Sequence, residues 1–176
     1  MRQRGFVHIC CGTGRGKTTA ALGLGMRAAG HGYPVVMVQF LKTAPTGELA
    51  FLEGQAQFQV LRFEHPHGFI KNLSEEQLRT LMADMQEALY RVRILIREEA
   101  CYLLILDEIL DAVEKGLIRE TEVEELVDSI PESMELVLTG HTAPASLIEK
   151  ADYVTEMKKI KHPYDQGVRA RQGIEY

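Results

Sequence analysis

Short apolar runs alternate with stretches of helical period along the whole chain. The runs at Phe6–Cys10, Val35–Phe40, Phe58–Phe63, Tyr102–Leu106, Leu136–Thr139 and Tyr153–Met157 predict six strands. Two of them, through Val-Val-Met-Val and Tyr-Leu-Leu-Ile-Leu, show no polar alternation. That is the pattern of strands covered on both faces, as in a parallel sheet. Between the runs lie helical segments. The spacing predicts a helix over Thr18–Ala29 that stops at Gly30. Ser74 followed by Gln77 reads as a capping box. The helix it opens carries Leu78, Leu81, Met82, Met85, Leu89, Val92 and Ile96 at spacings of three and four, one apolar face. A polar helix over Glu120–Asp128 stops before Pro131, and Pro144–Ala151 begins with a proline in its first turn. Strands alternating with helices predict an α/β fold: a three-layer, mostly parallel sheet with helices on both faces, one domain spanning 1–176. No repeat, low-complexity tract or linker divides it.

Composition narrows the picture. A chain of 176 residues, 45% hydrophobic and 26% charged, has the makings of a core and excludes a disordered or collagen-like protein. Twenty basic residues against 25 acidic ones argue against a nucleic-acid partner. No apolar run reaches the roughly 18 residues of a membrane span. The first residues look faintly like a signal peptide, but their apolar stretch is short and runs straight into glycines. Three cysteines, two of them adjacent (Cys10, Cys11), suit packing in a reduced cytoplasmic compartment better than a disulfide framework. Charge is uneven: Asp107 to Glu135 holds eleven acids against Lys115 and Arg119, whereas the last 20 residues hold Lys158, Lys159, Lys161, Arg169 and Arg171. Two readings stay open, a solvated acidic face with a basic tail, or a basic end that borders an anionic ligand.

The strongest chemical signal is Gly12-Thr13-Gly14-Arg15-Gly16-Lys17-Thr18-Thr19, after a strand and at the start of a helix, the context of a phosphate-binding loop. Glycines let backbone N–H groups turn toward phosphate oxygens, and the helix start adds free amides and positive potential. Lys17 supplies an ammonium for the phosphates and Thr18 a hydroxyl for Mg²⁺. The general pattern G-x-x-x-x-G-K-S/T wants glycine where this chain has Cys11. Arg27, on the following helix, is a candidate for the phosphates or the ribose. A second signal is the apolar strand that ends in Asp107 and Glu108. A carboxylate at such a strand tip helps hold a Mg²⁺ water shell, and the next glutamate serves as base or positions a ligand; the alternative is that both acids cap the next helix. Together these give an ATP- or GTP-binding domain and leave the reaction open.

The run from Gly12 to Gly32, GTGRGKTTAALGLGMRAAGHG, is more specific than a phosphate loop. It resembles the P-loop family of ATP:corrinoid adenosyltransferases. Val38-Gln39-Phe40-Leu41-Lys42 is similar to that family's second strand and its exit, Leu106-Asp107-Glu108-Ile109 to its acidic strand tip, and Thr155 to Tyr176 to its C-terminal signature. The resemblance spans nearly the whole chain, and the family commonly lacks the loop's first glycine. It implies a P-loop NTPase-like fold and transfer of the 5′-deoxyadenosyl group of ATP to the Co(I) of a reduced corrinoid, cobalamin or cob(I)yrinic acid a,c-diamide, with release of triphosphate. It further implies that triphosphate runs through the loop in reverse relative to most P-loop enzymes. On this resemblance Lys17, Glu108 and Phe69 are the catalytic candidates, Gly12 to Thr19 hold ATP, and Thr18 and Asp107 hold Mg²⁺; Arg27 stays a candidate from its place on the helix alone, with a surface arginine as the alternative. Phe69 is the candidate for the side chain beneath the corrin. The family's tryptophan two residues on is Lys71 here, and the chain has no tryptophan. His141 stands where the family often carries arginine. Better-known members have an N-terminal extension over the active site, whereas this chain starts almost at its first strand, so that cover is expected to be absent or supplied otherwise. An electron-donor flavoprotein and a homodimer are further expectations. Two alternatives remain beside the transferase: a phosphotransferase or ATPase acting on the γ-phosphate, and a nucleotide-dependent corrinoid carrier. Separately, His65-x-His67 is a candidate metal pair, without a third cysteine or acid at ligand spacing.

Overall fold

In a computed structural model, which describes residues 4–65, 68 and 70–175, the six apolar runs form one sheet. They are β1 (Val7–Cys11), β2 (Val35–Gln39), β3 (Phe58–Leu61), β4 (Leu103–Asp107), β5 (Glu135–Thr139) and β6 (Tyr153–Glu156). Their order is β3-β2-β4-β5-β1-β6, and every neighbouring pair is parallel. The helices are α1 (Lys17–Gly30), α2 (Gly47–Leu52), α3 (Glu75–Arg97), α4 (Ile109–Glu114), α5 (Glu120–Ser129) and α6 (Ala145–Lys150). None of the described helices is long and apolar enough to cross a membrane.

Side chains alternate across a strand, so each apolar run feeds two cores. Val36, Val38, Leu104, Leu106, Leu136 and Leu138 pack with α3 and α5 on one face; Val35, Met37, Leu103, Ile105 and Val137 pack with α1 on the other. Leu104, Ile105 and Leu106 are fully buried, each contributing about 1.5–3 kcal/mol by apolar burial. The three-layer expectation follows from this double burial. Near the middle of α1, Gly25 approaches Phe58 so closely that a Cβ would lie 2.4 Å from the ring. A helix-interior glycine costs about 0.5–1 kcal/mol against alanine, and here the close approach of β3 is the reason for it.

Some boundaries move. α1 runs through Gly30, and the left-handed turn falls at Gly32 (φ 82°). The capping box of α3 is complete: Gln77 N–H donates to Ser74 Oγ (3.3 Å) and Ser74 N–H to Gln77 Oε1 (2.9 Å). The buried stripe of α3 starts at Leu81. Leu78 and Met82 are exposed, as is every residue from 74 to 80, whereas Asp84, Ala88 and Leu95 are buried. Asp84 is buried for a polar reason, since it accepts from His65 N (2.8 Å) and faces His65 Nδ1 (2.9 Å). α2 and α4, six residues each, are too short to announce themselves by period.

Candidate functional site

Ligands of open parallel sheets lie at the carboxyl ends of the strands. Here that edge gathers the loop after β1, Leu41 and Lys42 after β2, Glu108 after β4, Gly140 and His141 after β5, and Met157 after β6. The loop from Gly12 to Gly16 is held on both flanks. Gly12 N–H donates to His141 O (2.8 Å) and Gly14 N–H to Met157 O (2.6 Å). Gly12 and Gly16 have φ of 106° and 111°, where a side chain is strained, and a Cβ on Gly12 would also lie 2.4 Å from the Met157 carbonyl. Among the described residues no side chain caps α1 and no acid lies in its first turn, so its leading amides stay available to an anion. Lys17 Nζ folds onto the loop, donating to Gly12 O (2.7 Å) and Gly14 O (3.0 Å). Thr13, Arg15 and Thr19 are exposed. Arg15 reaches the tail, donating to Ile174 O (3.1 Å) and facing Glu175 (3.7 Å).

Strand parity builds the rest. Leu103 and Ile105 point to the α1 face, so Asp107, two residues on, points to the start of α1. It meets Thr18 there, whose hydroxyl donates to Asp107 Oδ1 (2.9 Å). Gln39 stands opposite Asp107 in register and donates to its Oδ2 (3.1 Å), and Thr139, on the other neighbouring strand, donates to Oδ1 (2.8 Å). Asp107 has no solvent exposure. Its compensating charge is Lys42, whose Nζ donates to Asp107 Oδ2 (2.6 Å) and Thr18 Oγ1 (2.9 Å) and lies 3.3 Å from Glu108 Oε1. Burial works to lower the Lys42 pKa, but Asp107 and Glu108 outweigh it and hold the ammonium above its usual value. Glu108 adopts a left-handed conformation (φ 62°) at the start of α4, and its N–H donates to Thr139 Oγ1 (2.8 Å). Its side chain makes no capping bond. Burial pushes the Glu108 carboxyl above its ordinary range and Asp107 and Asp111 add to that, while Lys42 works against it.

The hydroxyl of Thr18 and the Asp107 carboxylate are hard oxygen donors beside the phosphate loop. That set suits Mg²⁺, which takes one or two protein oxygens and completes its shell with water and phosphate. Beyond Glu108 opens a cavity of about 380 Å³, walled also by Leu41, Ile70, Lys71, Asp111 and His141. His141 Nδ1 lies 2.7 Å from Asp111 Oδ1, and Asp111 Oδ2 is buried without a partner among the described residues.

The structure therefore brings together the loop, Lys17, Thr18, Asp107 and Glu108. It does not bring Arg27 to them. Arg27 sits in the last turn of α1 and lines a cavity of about 220 Å³ with His8, Tyr33, Tyr102 and Glu135, at the opposite ends of the strands. Ten residues of helix separate it from Lys17, roughly 15 Å at 1.5 Å per residue. Phe69 and His67 lie outside the described residues. Of the basic tail, Lys158, Lys159 and Arg171 pair with Glu156, Asp165 and Glu175, and Arg171 holds the Glu175 carboxyl down to about 2. Burial raises the thiols of Cys10 and Cys11. Gln39 and Lys42 lie in the run similar to the family's second strand and its exit, but the sequence assigns no role to them or to Thr139. Gln39 and Thr139 are polar residues at the ends of mostly apolar strands, the local signal that could have found them.

The family described as ATP:corrinoid adenosyltransferase BtuR/CobO/CobP matches residues 3–176. A corrinoid adenosyltransferase of a Sinorhizobium species is 37% identical, covering 99% of this chain and 81% of that protein. One from Escherichia coli K12 is 33% identical, covering 99% and 87%. The corrinoid adenosyltransferase CobA of Salmonella typhimurium LT2 is 33% identical, covering 100% and 88%. Among solved structures, a KaiC-like protein from Pyrococcus horikoshii OT3 superposes with a TM-score of 0.54 at 16% identity, covering 90% of this chain and 74% of that one. That likeness is one of fold.

Proposed function

The chain belongs to the ATP:corrinoid adenosyltransferase family, and from that premise we propose that it transfers the 5′-deoxyadenosyl group of ATP to the Co(I) of a reduced corrinoid, cobalamin or cob(I)yrinic acid a,c-diamide. The cobalt electron pair attacks the ribose C5′, the C5′–O bond breaks, and triphosphate leaves with the bonding electrons. The observation that carries the reading is the shared wall. Glu108 borders the cavity of about 380 Å³ and also faces Lys42, which touches Thr18 at the phosphate loop. Two substrates seated there would lie side by side.

Each residue's part follows from its chemistry. The amides of Gly12 to Gly16 and the leading turn of α1, through Thr18 and Thr19, cradle the polyphosphate. Lys17 leaves the loop carbonyls and neutralises the leaving group. Thr18 and Asp107 would hold Mg²⁺, which would supply further positive charge to the triphosphate. Glu108 orients the reacting sugar against the second cavity, and Phe69 shields the lower face of the corrin from water and axial ligands. Arg27 has no part at this end of the sheet. We read residues 1–176 as one adenosyltransferase domain, acting in the cytoplasm, where its free thiols Cys10, Cys11 and Cys101 stay reduced. A homodimer is supported by the apolar side chains of Leu78 and Met82 that α3 leaves in solvent. A flavoprotein is the proposed source of the reducing electron.

The test is the identity of the products. Protein, ATP, Mg²⁺ and chemically reduced corrinoid should give a Co–C bond, read by the corrinoid spectrum, and intact triphosphate. ADP or orthophosphate in place of triphosphate would overturn the reading in favour of a phosphotransferase. Phe69→Ala should slow adenosylation that starts from Co(II) about tenfold more than reaction with pre-reduced Co(I), because only the former needs the axial ligand removed. Equal losses on the two routes would remove Phe69 from beneath the corrin.

A further inference from the structure

We infer that Lys42 is the resident cation of the metal position: its ammonium fills that position in the ligand-free protein and yields it to the divalent ion that accompanies the nucleotide. The inference rests on the phosphate-loop reading above. It starts from saturation. An ionised carboxylate offers about four acceptor positions. Those of Asp107 are taken by Thr18 and Thr139 on Oδ1 and by Gln39 and Lys42 on Oδ2. An ammonium has three donors, and those of Lys42 face Asp107 Oδ2, Thr18 Oγ1 and Glu108 Oε1. The Thr18 hydroxyl is likewise used, donating to Asp107 and accepting from Lys42. On Asp107 no acceptor position remains for an incoming ion, and the ammonium stands against the Thr18 oxygen that such an ion would use.

Three oxygens around one positive charge are also the set a hard divalent cation seeks. The charge has to be there, because Asp107 is fully buried and a buried carboxylate without a counter-charge is costly. A divalent ion bound to Thr18 Oγ1 would lie within a few ångströms of Nζ, where two cations in a buried site repel strongly. Occupancy is therefore exclusive. Lys42 sits on a flexible four-carbon stem just past the end of β2, beside Thr18. Once displaced, its ammonium can turn onto the polyphosphate without the backbone moving. The site exchanges cations, and its buried carboxylate is never bare.

The test is a titration of Mn²⁺ into nucleotide-free, corrinoid-free protein, with free Mn²⁺ followed by electron paramagnetic resonance. Lys42→Met removes the competitor. Lys42→Gln removes the charge but keeps a donor to Asp107, and it carries the test should the methionine variant not fold. Lys42→Arg keeps the charge. We expect Lys42→Met and Lys42→Gln to bind Mn²⁺ at least about tenfold more tightly than wild type, with Lys42→Arg close to wild type. Saturating Mn²⁺ should also raise the melting temperature of Lys42→Gln by more than that of wild type. Unchanged or weaker Mn²⁺ binding in Lys42→Gln would overturn the inference. The titration contains neither ATP nor corrinoid, so its result is independent of which group ATP donates. The product assay decides that separately.

Discussion

Lys17→Ala should lower the maximal rate of Co–C bond formation by about 10²–10³-fold at saturating ATP, the loss seen when a single preorganised charge-stabilising donor is removed. The leaving triphosphate gains negative charge as the C5′–O bond lengthens, and Lys17 is the mobile ammonium of the loop. In the structure its Nζ donates to the carbonyls of Gly12 and Gly14. Among the described residues its ammonium bonds only to the loop, so its removal should leave the fold intact. The check is a rate measured with pre-reduced corrinoid beside a thermal melt. A deep loss of rate with an unchanged melt is the expected pair. A near wild-type rate would show that the loop does not carry the reaction. Lys17→Arg should rescue little, because a planar guanidinium is not interchangeable with a compact ammonium inside a nest of amides.

Asp107→Ala should be the most destabilising substitution at the site. It would leave Thr18, Thr139, Gln39 and Lys42 without their common acceptor in a position with no solvent exposure. Breaking a buried charge pair by removing one partner costs about 3–5 kcal/mol. For a chain of this size that lowers the melting temperature by roughly 10 °C. The second half of the prediction separates a lost pair from a simple cavity. In Asp107→Ala/Lys42→Met the uncompensated ammonium is gone, so the double variant should be more stable than Asp107→Ala alone, a non-additivity expected of contacting residues. If Asp107→Ala melts within about 2 °C of wild type, or if the double variant shows no recovery, the network does not carry the stability assigned to it.

The local part of the fold was open to reading. The six strands are found with their ends shifted by a residue or two, since an apolar run between turn residues has few other uses. The loop after β1, read as a phosphate loop, was marked by its glycines, Lys17 and Thr18. The Ser74 capping box and most of the buried stripe of α3 followed from spacing. Arg27 shows where such reading fails: a basic residue on the helix after the loop is near it in sequence, but helical rise carries it to the far end of the sheet. Leu78 and Met82 fail for a related reason, because periodicity gives a face and does not say how much of that face the rest of the fold covers. Their exposure leaves α3 with the apolar patch offered above to a second copy.

What the sequence determined by itself is whatever acts over a few residues: strand and helix, alternation of faces, the nest of amides after β1, and the acids at the tip of β4. What only the tertiary structure decided is which strand tips stand together. The order β3-β2-β4-β5-β1-β6 sets Gln39 opposite Asp107, brings Thr139 to its other side, and delivers Lys42 to a carboxylate that no local pattern joins to it. Register between parallel strands is fixed by crossovers and by packing of two cores at once, and these forces act between residues far apart in the chain. For that reason the loop could be read from its own residues, whereas the cation that neutralises its buried acid could be found only in the folded protein.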